Sequence, residues 1–131
     1  MTASDNATLK IDSYRRLGDS DIRVSPLGLG TVKFGRNIGV KYPSSFSLPT
    51  DAELALLLQH AKALGINFLD SAPAYGTSEE RLGKLIGGSR DQWVISTKVG
   101  ERFIDGVSSY DFSADSTTRS IENSLRNLQT D

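Results

Sequence analysis

The stretch Gly65-Ile66-Asn67-Phe68-Leu69-Asp70-Ser71-Ala72-Pro73-Ala74-Tyr75-Gly76-Thr77-Ser78-Glu79 decides the fold. It opens on a glycine placed to cap a preceding helix, then runs as a short, mostly apolar strand, Ile66 to Asp70, ending on a carboxylate. A loop containing Pro73, Tyr75 and Gly76 follows. Thr77 and Glu80 then have the spacing of a capping box, which predicts a new helix. Helix stop, strand, polar loop and helix start in this order describe one unit of a parallel sheet covered by helices.

The same alternation extends both ways. Upstream, Thr50 and Glu53 form another capping-box pattern, and Leu54, Leu57, Leu58, Ala61 and Leu64 predict one buried helix face. Residues 35–49 carry Gly, Pro and Ser without periodicity and read as a loop. Leu27-Gly28-Leu29-Gly30-Thr31 is a strand weakened by its glycines. Tyr14 to Val24 reads as a short hairpin turned at Gly18-Asp19, with Pro26 ending it. Residues 1–13 are polar and predict a disordered leader. Downstream, Leu82, Leu85 and Ile86 form the buried stripe of the second helix, Gly87-Gly88 its stop, and Glu79, Glu80, Arg81 and Lys84 a solvated face. Trp93 to Thr97 is the third strand, residues 100–112 a long polar loop, and Ser113 the N-cap of a third helix burying Ile121, Leu125 and Leu128. Three strand–helix units in 131 residues fall short of a (β/α)8 barrel, which needs about 250. The expected architecture is one domain over residues 14–131: an N-terminal hairpin and about the first three β/α units of a TIM barrel, stopping before the fourth strand.

Composition narrows the function. A net charge of −1 leaves no electrostatic footprint for nucleic acid or an anionic membrane. With no cysteine, disulfides, thiol catalysis and thiolate metal sites are excluded. No apolar run is long enough for a signal peptide or a bilayer span, so a cytoplasmic protein is expected. The lone histidine, His60, lies mid-helix between Leu57 and Leu64 and reads as a surface or half-buried helix residue. Gly28-Leu29-Gly30 is not a dinucleotide fingerprint, because Lys33 stands where the third glycine belongs and a loop follows. Gly87-Gly88-Ser89-Arg90 reads as a helix stop and not a phosphate cradle. The loop serines have no base partner, and no metal site is expected.

Parallel α/β folds place their chemistry at the C-terminal ends of the strands. Asp70 ends one strand, Tyr75 sits in the loop after it, and Lys98 follows the end of the next. Alternation puts Phe68 with Asp70 on one face, and Val94, Ser96 and Lys98 on one face. If both faces point inward, Asp70 and Lys98 meet at one mouth as an ion pair. Such a pair can be purely structural; Tyr75 at this spacing adds chemistry. A phenol of ordinary pKa about 10 is a poor proton donor near neutrality. A neighbouring ammonium favours the phenolate and tunes it as a general acid, while the carboxylate holds the ammonium in place. No side chain donates hydride, so a nicotinamide would have to supply it.

The quoted stretch resembles the first signature of the aldo-keto reductases. Leu27-Gly28-Leu29-Gly30-Thr31 with Phe34-Gly35, Ile95-Ser96-Thr97-Lys98-Val99-Gly100, and Ser124 to Asp131 resemble that family in order and spacing. The resemblance covers nearly all of Tyr14–Asp131. It implies a barrel reducing aldehydes or ketones with NADPH, or with NADH, or running the reverse on an alcohol or sugar. It implies Tyr75 as proton donor, Lys98 as its pKa partner and Asp70 as the orienting carboxylate. Gly30, Thr31 and Asp70 would lie along the cofactor, and the Tyr14–Val24 hairpin would plug the closed end of the barrel. Some relatives are regulatory subunits that bind nucleotide and associate with a channel, a second expectation beside the enzyme. The family's catalytic histidine ends a fourth strand, which these residues do not include. A chain of only these 131 residues is therefore expected to be inactive, and no oligomeric state is implied.

Overall fold

The computed structural model describes residues 13–131. Apart from Ser13, the expected leader lies outside them. The centre is a three-stranded parallel sheet, β3 (Gly28–Gly30), β4 (Phe68–Asp70) and β5 (Val94–Ser96), ordered β3-β4-β5. Register sets Gly28, Phe68 and Val94 in one row, Leu29, Leu69 and Ile95 in the next, and Gly30, Asp70 and Ser96 in the last. The middle row turns outward: Leu69 is wholly buried, with Leu29 and Ile95 packed beside it. The other two rows form the inner face. Gly28 is a glycine for a steric reason, since a Cβ there would stand 2.8 Å from the Phe68 ring.

Among the described residues four α-helices accompany the sheet: α1 (Val32–Gly35), α2 (Asp51–Ala63), α3 (Ser78–Ile86) and α4 (Ala114–Leu128). The core gathers Phe34, Leu54, Leu58, Ala61, Leu69, Leu82, Ile86, Trp93 and Leu128. The capping box of α2 forms on both arms: Glu53 N donates to Thr50 Oγ1 at 3.2 Å, and Thr50 N to Glu53 Oε2 at 2.8 Å. Gly65, at φ 84°, ends that helix. Ile66 N reaches Ala61 O and Gly65 N reaches Lys62 O, both at 2.9 Å, a Schellman closure. The buried stripe is narrower than expected, because Leu57 and Leu64 stay 41% and 46% exposed. At about 100° per residue they sit to one side of the Leu54–Leu58–Ala61 line.

Other expectations are corrected. The second capping box does not form: Thr77 has near-helical φ −89°, ψ 10° and its side chain makes no cap bond. The extended backbone that aims an N-cap oxygen at the third amide is missing. Gly87 is the C-cap at which α3 ends, as expected, but the chain then runs directly into a 3₁₀ turn, Gly87–Gln92. The solvated face is also divided, with Glu80 and Lys84 exposed but Glu79 only 2% exposed. Arg81 bonds Asp51 Oδ1 at 2.7 Å and the carbonyls of Phe34 and Pro49. On α4 the inward residues are Ser124 and Leu128, whereas Ile121 and Leu125 are exposed. The small Gly83 lets α4 approach α3, since a Cβ there would lie 2.3 Å from Asn127 O.

The expected polar loop 100–112 contains an antiparallel hairpin, β6 (Glu101–Ile104) and β7 (Val107–Tyr110). Its turn is Asp105-Gly106, with φ 51° and 80°. Positive φ at both central residues gives the strand twist that such two-residue turns need. A smaller hairpin, β1 (Arg15–Arg16) with β2 (Arg23–Val24), is tied to the N-terminal end of β4. Ser25 N donates to Asn67 Oδ1 at 2.7 Å, Asn67 N to Ser25 Oγ at 3.1 Å, and Asn67 Nδ2 to Arg23 O at 2.9 Å.

Candidate active site

The opposite, C-terminal end of the sheet carries the charged cluster. Asp70 is the last residue of β4, and Lys98 stands two residues past β5. Lys98 Nζ lies 2.9 Å and 3.0 Å from the two Asp70 carboxylate oxygens and 2.8 Å from Ser71 O. It also sits 4.9 Å from the centre of the Tyr75 ring. The structure thus brings Asp70, Tyr75 and Lys98 together. Partial burial works to lower the Lys98 pKa, but hydrogen bonds and charge from Asp70 and Tyr75 outweigh it, and the ammonium is held above the ordinary lysine range. Its side chain is 46% exposed, so the cluster lies at an open mouth.

Backbone packing fixes the tyrosine loop. Gly76, at φ +60°, meets Gly35 so closely that a Cβ on it would stand 2.1 Å from Gly35 O. A Cβ on Gly35 would stand 2.3 Å from Tyr75 O. Arg36 adds a clamp: its Nη1 donates to Ala74 O at 3.0 Å and pairs with Glu101 Oε1 at 3.4 Å. Its guanidinium stacks on Phe103 with its carbon 3.6 Å from the ring centre. The β6–β7 hairpin is thereby bound to the loop bearing Tyr75. Sequence reasoning missed this role of Arg36 and Glu101. The Asp105-Gly106 turn signal could have revealed the hairpin, but nothing local announces its partner.

Gly30 and Thr31 take different positions. Gly30 faces the mouth in register with Asp70, and a Cβ there would meet nothing within 4 Å. Protein packing does not require the glycine; space beside Asp70 is left open. Thr31 is wholly buried. Its hydroxyl donates to Asp70 O at 3.0 Å and accepts from Ser78 Oγ at 2.8 Å, while Ser78 Oγ lies 3.0 Å from buried Ser71 Oγ. The Thr31 side chain therefore acts on the site by holding the end of β4. His60 is exposed on α2, away from these residues.

A groove of about 560 Å³ is lined by Val32, Arg36, Tyr42, Glu101, Ser108 and Tyr110, and Asp70, Tyr75 and Lys98 are not among its lining residues. A second cavity, of about 530 Å³, lies between α3, α4 and the hairpin, and Asp70, Tyr75 and Lys98 do not line it. Among the described residues no three His, Cys, Asp or Glu side chains gather as a metal site, and no helix is long and apolar enough to cross a membrane.

The Aldo/keto reductase family model matches residues 26–131. L-galactose dehydrogenase of Arabidopsis thaliana is 34% identical over 122 residues, covering 89% of this chain and 34% of that protein. The solved structure of PA4992 from Pseudomonas aeruginosa, assigned to the aldo-keto reductases, is 54% identical with a TM-score of 0.86, over 98% of this chain and 47% of that one. Aldo-keto reductase AKR11C1 from Bacillus halodurans, solved in a holo form, is 32% identical with a TM-score of 0.74, over 91% of this chain and 37% of that one. The chain belongs to the aldo-keto reductase family, and its described residues form the opening part of that family's (β/α)8 barrel. It spans about a third of the length of the curated relatives it matches.

Proposed function

We propose that this chain carries the proton-donating half of an oxidoreductase that reduces aldehydes or ketones with a nicotinamide cofactor. The observation that supports it most is Lys98, bound by both oxygens of Asp70 and set against the Tyr75 ring. In the proposed reaction the Tyr75 hydroxyl donates its proton to the substrate's carbonyl oxygen as the carbonyl carbon is reduced. Lys98, kept charged by Asp70, favours the phenolate left behind, which regains a proton from solvent. NADPH, or NADH in its place, supplies the hydride when bound. Gly30, with open space on the inner face beside Asp70, fits the flat ring of such a group. Asp70 would border it, and Thr31 would fix the strand end from beneath. In the reverse direction the phenolate takes the proton of an alcohol or sugar hydroxyl. We place the protein in the cytoplasm, acting on small carbonyl compounds.

The test is Tyr75→Phe in the complete protein, followed by NADPH consumption with an aldehyde substrate and by nucleotide binding. Carbonyl reduction should be abolished and cofactor binding nearly retained. Unchanged turnover would remove Tyr75 as the acid. A parent protein that binds nucleotide yet turns over no carbonyl would place the chain with non-catalytic nucleotide-binding subunits.

A further inference from the structure

Glu79 is a buried carboxylate that the proposed chemistry does not use. It sits in the first turn of α3, 2% exposed, with no cation in ion-pair reach among the described residues. A buried anion is costly unless its oxygens are bonded and its place is worth holding. Its partners are neutral: Thr97 Oγ1 donates to Oε1 at 2.6 Å, and Asn127 Nδ2 to Oε2 at 3.4 Å. The positive end of the α3 dipole favours the charge at this position.

Thr97 is the residue immediately before Lys98. Both lie past Asp70↔Ser96, the last paired row of the sheet; the last ladder bond runs from Ser71 N to Ser96 O at 2.8 Å, and none reaches the N–H or C=O of Thr97 or Lys98. Direction must come from side chains. Ile95 packs outward into the core, and Thr97, two residues on, points to the same side and bonds α3. Alternation then turns Lys98 to the inner face, toward Asp70. A rotation that released Thr97 would swing Lys98 from the mouth. The neighbouring Ser78 performs the matching task for the other strands, joining Thr31 after β3 to Ser71 after β4. One turn of α3 thus references the ends of all three parallel strands.

We propose that Glu79, acting through the Thr97 hydroxyl, is the positioning residue that aims Lys98 at Asp70 and Tyr75. The consequence for catalysis rests on the reductase reading above; the consequence for Lys98 does not. The experiment is Thr97→Val, which removes the hydroxyl at nearly constant shape, beside Thr97→Ser, which keeps it, in the complete protein. Lys98 is titrated by NMR in protein carrying ¹³Cε-lysine, with Lys98→Met assigning the signal, and kcat and KM are measured with an aldehyde. Thr97→Val should lower the Lys98 midpoint toward the ordinary lysine value. It should also cut kcat roughly 10- to 100-fold with little change in KM, as a misplaced catalytic group does. Thr97→Ser should restore both. A Thr97→Val protein that melts earlier but keeps the parent's Lys98 midpoint and kcat would overturn the proposal, leaving Glu79 a purely structural acid. If the parent reduces no carbonyl, a fallen midpoint still sustains the positioning role, while the reductase reading fails. Thr97→Ala makes the same cut with a smaller side chain and is read identically should the valine variant not fold.

Discussion

Asp70 is committed to Lys98 through both oxygens, and Ser71 O takes the ammonium from a third side. The pair's pH behaviour follows from the sign of the Lys98 shift. Its pKa in the fold is raised, so the pair's contribution is complete below the ordinary lysine range and is lost as pH rises through the raised value. On the proposed function, carbonyl reduction by the complete protein should lose its lysine-dependent rate only on that strongly alkaline limb. Asp70→Asn should bring the limb to lower pH and reduce kcat by about 100-fold. A pH–rate profile of the variant that overlays the parent's would show that Asp70 does not govern Lys98.

Among the elements, the loop carrying Tyr75 owes its shape to Gly35 and Gly76 in backbone contact. Gly76 has a φ of +60°, and any side chain there would meet Gly35 O at 2.1 Å. Because the obstacle is main chain, it cannot turn aside as a flexible side chain could. Gly76→Ala should therefore destabilise the protein by about 1–3 kcal/mol, read as a lower midpoint in denaturant, and should displace Tyr75. A variant as stable as the parent would mean the two segments separate without cost. The elements also show how far local signals reach. Thr50, Glu53 and Gly65 specify both ends of α2, and its cap and closure form as their spacing predicts. Thr77 and Glu80 have the same spacing but fail, since tertiary bonds from Ser78 and Glu79 set the entry to α3 instead.

At the scale of the whole molecule, the described sheet has β3 and β5 at its edges, each with one unpaired side. Leu56 and Leu57 on α2, Leu64 just past its end, and Ile121 and Leu125 on α4 are exposed. Unpaired edges and open apolar surface favour association. A polypeptide of these 131 residues alone is expected to self-associate or unfold at low denaturant, and to reduce no carbonyl. A monodisperse monomer with a sharp unfolding transition, in sedimentation and calorimetry, would contradict that expectation.

That Asp70 and Lys98 meet at one rim was legible from the chain alone because strand alternation and strand ends are local properties, period two selecting the face and the end of a strand the rim, while Tyr75 was marked only by its place in the loop after β4. The order β3, α2, β4, α3, β5, α4 was legible for the same reason, whereas the short α1 and the β6–β7 hairpin were read as loops. Which leucines are covered, whether residues 100–112 stay a loop, and what Arg36 and Glu79 hold were not. Those depend on partners far along the chain, Glu101 for Arg36 and Thr97 with Asn127 for Glu79. Glu79 and Glu80 are adjacent acids in the first turn of one helix, alike in sequence, yet one is buried beneath the site and the other is in solvent. Only the packing of α3 against the strand ends and α4 distinguishes them, because burial is a property of neighbours in space and not of neighbours in sequence.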